Sequence, residues 1–224
     1  MKLYLCKLAV CVAVAVASVQ TMSAAFGGIL QNSPTGVNIA AFGVTASVAY
    51  GQVFTAPVTG TLDSFTLSLN GGVGALRGAV GVWSGPSTWG TGYGESSNLF
   101  TSGDVLSNSG GPYAFSPNVN VTAGETYVAY LTVFGVPGAA GETTMPRGTN
   151  VPGIDYFVWN NFTDPKNNAS WDYSMDFGDV LFSASFTEFN AVPEPSFLAV
   201  FGIGACFTWA FRRRRRDKQR EARA

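Results

Sequence analysis

Two stretches of this 224-residue chain gather aromatic rings among glycine, amide and acid side chains. One runs Trp83 to Tyr93, WSGPSTWGTGY, and the other Tyr156 to Tyr173, YFVWNNFTDPKNNASWDY. An exposed Trp or Tyr ring stacks on the apolar face of a sugar ring, while nearby amides and carboxylates bond its hydroxyls. Trp89, Tyr93, Trp159, Trp171 and Asp172 are therefore the candidates for carbohydrate contact. The competing reading is that these rings fill a core or cap the ends of a domain, as most aromatic side chains do. Trp89, surrounded by glycines and polar residues, is the ring best placed to stay exposed.

Other chemistries are bounded by what the chain lacks. It has no histidine. That removes Ser-His and Cys-His nucleophile pairs and every zinc site that needs imidazole. The surviving route to catalysis is a carboxylate pair acting as acid and base on a glycosidic bond. No two acids stand out as such a pair, and Lys166, which would have to activate a serine, sits in a polar loop. The expectation is a protein that is not an enzyme; the alternative is a carboxylate-dependent glycoside-active enzyme. Asp172, Asp176 and Asp179 lie beside Gly178 and offer the hard oxygens that calcium takes. Their spacing matches no EF-hand loop, and a solvated acidic loop is the favoured reading of them, so no cofactor is expected. Three Asn-x-Ser/Thr triplets, at Asn120, Asn161 and Asn168, are read as chance in an Asn- and Ser-rich chain.

Charge divides the chain. Residues 26–191 carry Arg77, Arg147 and Lys166 against eleven carboxylates. So acidic a body excludes nucleic acid as a partner, because binding phosphates needs cations to displace their counterions. The basic residues gather instead beyond Arg212. Cys6, Cys11 and Cys206 all lie outside 26–191, so that body must fold without a disulfide.

The first 25 residues begin with Lys2 and Lys7. An Ala- and Val-rich apolar run follows to Val19, then the small residues Ser23, Ala24 and Ala25. This is the order of a secretory signal peptide, with cleavage by signal peptidase expected after Ala25. The last 33 residues form a second signal, 192–224. Val192, Pro193, Glu194 and Pro195 come first; Ser196 to Phe211 follow without a charge; Arg212, Arg213, Arg214, Arg215 and Arg216 close the run. The sixteen uncharged residues would span about 24 Å as a helix, a short membrane crossing that snorkelling arginines lengthen. The arginines stop transfer and stay cytoplasmic, which places the body outside. The two proline rings deny the linker backbone donors and keep it extended.

This tripartite tail resembles the PEP-CTERM sorting signal. The resemblance implies an exosortase-type membrane protease as partner, in a Gram-negative bacterium that makes exopolysaccharide. It implies recognition at residues 192–195, transient anchoring in the inner membrane, and release of the body to the cell surface or extracellular matrix. The alternative is a permanently anchored single-pass surface protein.

Residues 26–191 show no helical periodicity. Short alternating runs are punctuated by Gly, Pro, Asn and Ser, the pattern of one all-β sandwich between a signal helix and a transmembrane helix. Strands are expected over Val48–Phe54, Thr61–Leu69, Leu76–Trp83, Thr126–Phe134, Ile154–Trp159 and Val180–Phe189. Phe65, Leu67 and Leu69 should share a buried face, as should Val180, Phe182, Ala184 and Phe186. Thr126–Phe134, apolar on both faces, should be central. Val121 to Tyr127, VTAGETY, has the spacing of a tyrosine corner, in which the hydroxyl bonds back to the turn backbone. The stretches GQVFTAP at 51–57, LDSF at 62–65, VGVWSG at 80–85 and AGETYVA at 123–129 resemble the jelly-roll-like domain common in PEP-CTERM proteins. That resemblance implies a fold and no particular ligand. The function expected is a non-catalytic structural or polysaccharide-associated module, with exopolysaccharide as a partner.

Overall fold

The computed structural model describes residues 27–85, 94–166, 171–174 and 178–189. The expected signal helix and the whole sorting tail lie outside them, as do Trp89, Tyr93 and Asp176. Residues Ala25–Phe189 form one compact unit. Among the described residues there is no helix. The strands, in chain order, are β1 Gly27–Gln31, β2 Pro34–Gly43, β3 Ala49–Thr55, β4 Gly60–Leu69, β5 Gly74–Ser84, β6 Gly94–Thr101, β7 Val105–Ser107 and β8 Gly111–Phe115. They continue as β9 Val119–Val121, β10 Thr126–Thr132, β11 Glu142–Gly148, β12 Ile154–Asn160, β13 Asp172–Ser174, β14 Asp179–Val180 and β15 Phe182–Glu188.

Two sheets face each other. The smaller runs β1-β15-β4-β8, with β9 also on β4; the larger runs β13-β12-β3-β10-β5-β6, with β7 also on β5. A third sheet, β14-β11-β2, stands beside them. The named strands all pair antiparallel. Consecutive strands β3, β4 and β5 alternate between the two main sheets, so the chain crosses the sandwich instead of folding into local hairpins.

Period-two alternation decides which side chains meet between the sheets. From β4 come Leu62, Phe65, Leu67 and Leu69, and from β15 come Phe182, Ala184 and Phe186. The opposing sheet supplies Tyr50 and Phe54, Tyr127, Ala129 and Leu131, and Leu76 and Val80. Phe54 sits at the centre, its ring 5.5 Å from that of Phe182, 5.9 Å from Tyr127 and 6.0 Å from Phe186. Burying each such ring contributes roughly 1.5–3 kcal/mol, without a disulfide. The expected inward faces of β4 and β15 are the observed ones. β10 lies between β3 and β5, the central position its two apolar faces required.

The segment expected as one strand, Val180–Phe189, is two. Val180 pairs with Arg147 in the third sheet, while Phe182 pairs with Leu67 in the smaller main sheet. Asn32 fills the break. Its Nδ2 donates to Val180 O at 2.8 Å, and its Oδ1 accepts from the Phe182 amide at 2.8 Å. The side-chain amide thus supplies the hydrogen bonds that a continuous ladder would have given. Gly148 has no Cβ because one there would run into the Asn32 amide.

Candidate functional site: the outer face of the large sheet and the loops at its ends

The outer face of the large sheet is as apolar as its inner one. Small side chains of β3, β5, β10 and β12 (Ala49, Val53, Ala79, Val128 and Val158) leave a floor on which large rings lie. Trp83, Tyr130, Trp171 and Tyr173 cover it. The Trp171 indole meets Tyr130 edge-on at 5.1 Å and Trp83 at 6.0 Å, and its Nε1 donates to Pro165 O at 3.0 Å. Trp171 is 3% exposed. It is therefore a core residue and is corrected from the carbohydrate candidates: the loop after β12 folds back over the sheet and drives this ring into the apolar floor.

A buried carboxylate adjoins those rings. Glu95, 2% exposed, accepts from Asn98 Nδ2 at 2.8 Å and from the Tyr130 hydroxyl at 3.3 Å to each oxygen. Gly81 makes the space, since any Cβ there would overlap the Glu95 side chain. Burial, and then the Glu95 carboxylate, raise the Tyr130 hydroxyl far above its ordinary range, so it stays a proton donor. No sequence pattern marks Glu95, which follows a glycine in a polar strand. Gly81 opposite, inside an otherwise apolar strand, is the signal that something large approaches.

Trp159 and Asp172 come together. They are cross-strand partners of β12 and β13. Trp159 is half-buried against Phe157 at 5.3 Å and Tyr50 at 6.5 Å, and Asp172 is exposed, accepting from Asn161 Nδ2 at 3.3 Å. The loop that follows β12 is fixed by its own side chains. Asn160 Oδ1 accepts from the Thr163 hydroxyl at 2.7 Å and its amide at 3.3 Å. The Ser47 hydroxyl donates to Asn161 Oδ1 at 2.6 Å, and Asp164 Oδ1 accepts from the Lys166 amide at 3.0 Å. Between these anchors Phe162 stands 68% exposed with φ at 66°, a left-handed conformation that a bulky residue rarely adopts. Phe162 lies in the aromatic stretch Tyr156 to Tyr173, where no spacing separates an exposed ring from the buried ones.

The strand ends that flank the two aromatic stretches lie at opposite ends of the sandwich. β12 finishes where β3 begins, Asn160 opposite Ala49. β5 finishes towards the start of β10, which faces the end of β3 at Thr55. Ser84 and Gly94 pair at that end.

Asp179 is 1% exposed in the core. Gln52 Nε2 donates to its Oδ1 at 3.1 Å, and Gln52 Oε1 accepts from the Val180 amide at 2.9 Å. Its Oδ2 and the Nε of Arg147 have no hydrogen-bond partner among the described residues. Burial raises the Asp179 carboxyl to about 6, with Asp155 pushing the same way and Gln52 and Arg147 opposing. Asp179 therefore faces Gln52 inside the sandwich, whereas Asp172 is exposed on β13 and bonds Asn161; Asp176, the third acid of the calcium reading, lies outside the described residues. No group of three metal-ligating side chains occurs among the described residues. Asp155 is also raised, by burial, and bonds Thr55. An acid–base pair of Asp155 and Asp179 would have one member sealed from any substrate.

Residues 191–216 match the PEP-CTERM protein-sorting motif. An all-β domain is thus followed by a sorting motif of the PEP-CTERM type, which implies an exported protein sorted by an exosortase. No curated protein sequence matches the chain. Among solved structures it is similar to the cysteine protease and lectin-like domains of Cwp84, a surface layer associated protein of Clostridium difficile, with a TM-score of 0.45 and 7% identity. That alignment covers 73% of this chain, and the chain spans 36% of the other. A likeness of that size carries no argument about activity.

Proposed function

We propose that this chain is exported by its leader, held in the inner membrane by residues 196–211, and processed by an exosortase-type protease that reads Val192, Pro193, Glu194 and Pro195. The released body, a jelly-roll-like sandwich, then serves at the cell surface or in the extracellular matrix as a non-catalytic, polysaccharide-associated module. The motif match at 191–216 carries this reading. The fold supports it: the Phe189 amide still donates to Thr59 O at 3.1 Å, so the sheet is complete two residues before the motif begins. Cutting within the motif would leave β15 whole between β1 and β4. Intact-mass measurement of the form released from an exosortase-bearing host tests it. The expected product starts near Phe26 and ends near Pro193–Pro195; a product that keeps Arg212–Arg216 would overturn the sorting step.

A further inference from the structure

We propose that the sandwich end from which β12 emerges is the glycan-contacting surface, centred on the ring of Phe162 and turned away from the end that leads into the tail. The proposal deepens the polysaccharide-associated reading above and rests on it.

The first observation is Phe162 itself. A phenylalanine in the left-handed region is strained and persists only where its surroundings impose it. Here Asn160, Asn161, Ser47 and Asp164 impose it, and the result is an aromatic face held out into water. Packing does not explain the strain, because the ring buries little of itself.

The second is what stands nearby. The Val48 amide donates to Asn160 O, and Val48 O accepts from the Val133 amide, so the segments leading to Phe162 and Phe134 flank one strand. They leave the sheet about 10 Å apart, two strand spacings. Phe134 is also exposed, and so is Val44 in the loop between β2 and β3 at the same end. Polar groups flank Phe162 itself: Asn161, Thr163 and Asp164 in its own loop, and Asp172, which accepts from Asn161. Isolated rings among amides and carboxylates suit pyranose rings, whose faces are apolar and whose edges carry hydroxyls. A protein partner would ask for a contiguous apolar core.

The third is charge. Three cations against eleven carboxylates in residues 26–191 repel anionic lipid and anionic polymer alike. The occupant is therefore a neutral polysaccharide.

The fourth is polarity along the strands. Gly27 pairs with Thr187 and Gly60 with Glu188, so the N-terminal strand and the exit to the tail share one end of the domain. The seven residues of β3 separate that end from the Phe162 end, by about 20 Å. The strand that leads into the tail therefore ends at the side of the domain opposite the Phe162 loop.

Retention of the full chain, in a polyoxyethylene detergent, on insoluble neutral β-glucan tests the proposal. Phe162→Asn keeps a residue tolerant of the left-handed conformation and removes the ring. It should weaken retention at least tenfold while leaving the melting temperature unchanged or higher, and Phe162→Tyr should retain like the native chain. Equal retention of Phe162→Asn would overturn the site while leaving polysaccharide association standing. So would a Phe162→Asn chain that melts far lower, since the ring would then be structural. Failure of the native chain to bind any neutral glucan would overturn both.

Discussion

The amide of Thr122 donates to the hydroxyl of Tyr127 at 2.9 Å, across a turn whose Gly124 has φ of 81°. The glycine permits the left-handed turn, the turn brings the chain back over Tyr127, and the ring then stacks on Phe54 in the central core. Tyr127→Phe keeps the stacking and removes the acceptor. The expected cost is about 1 kcal/mol, the net worth of one such hydrogen bond, and chemical denaturation should show it as a lower midpoint with an unchanged slope. No change would mean that water replaces the hydroxyl without loss.

This corner was legible because its chemistry is local: a glycine and a tyrosine three residues apart. The same holds for Thr61–Leu69 and Thr126–Thr132, whose alternation or double-sided apolarity fixes their place. The third sheet was not legible. β11 contains Pro146 and two register irregularities, so neither propensity nor alternation marks it as a strand. β2 reads as a glycine-bearing loop until β11 pairs with it. Trp171 misled because exposure is a property of the fold over the ring, and only the return of the loop onto the large sheet decides it. Glu95 and Gln52 gain their meaning from residues distant in sequence, Tyr130 and Asp179.

Asn32 joins two sheets through one side chain. Asn32→Ala strips partners from the Val180 carbonyl and the Phe182 amide, both buried. The expected loss is about 2–4 kcal/mol, seen in thermal melts as a fall on the order of 5–15 °C. A fall within a degree or two would show that β14 and β15 hold their break without it.

Asp179 should make stability depend on pH. Its folded pKa, about 6, lies above the unfolded carboxylate value, so the native state binds the extra proton between the two. The stabilisation is complete below pH ~4 and is lost as pH rises through about 6, a change of up to about 3 kcal/mol. Asp179→Asn keeps an oxygen for Gln52 and cannot ionise. It should flatten this part of the profile and raise the melting temperature at pH 7.5. An unaltered profile would assign the dependence to other acids, Asp155 first.

The sorting claim is tested most directly by fractionation and blotting of the native chain beside a Pro193, Glu194, Pro195 to alanine variant, in a host with an exosortase and in one without. The variant keeps the apolar span and the five arginines proposed to stop transfer, so it should stay membrane-bound at full length in both hosts. The native body should leave the membrane only where the exosortase is present. Equal release of the native body from both hosts, or normal processing of the variant, would contradict the account.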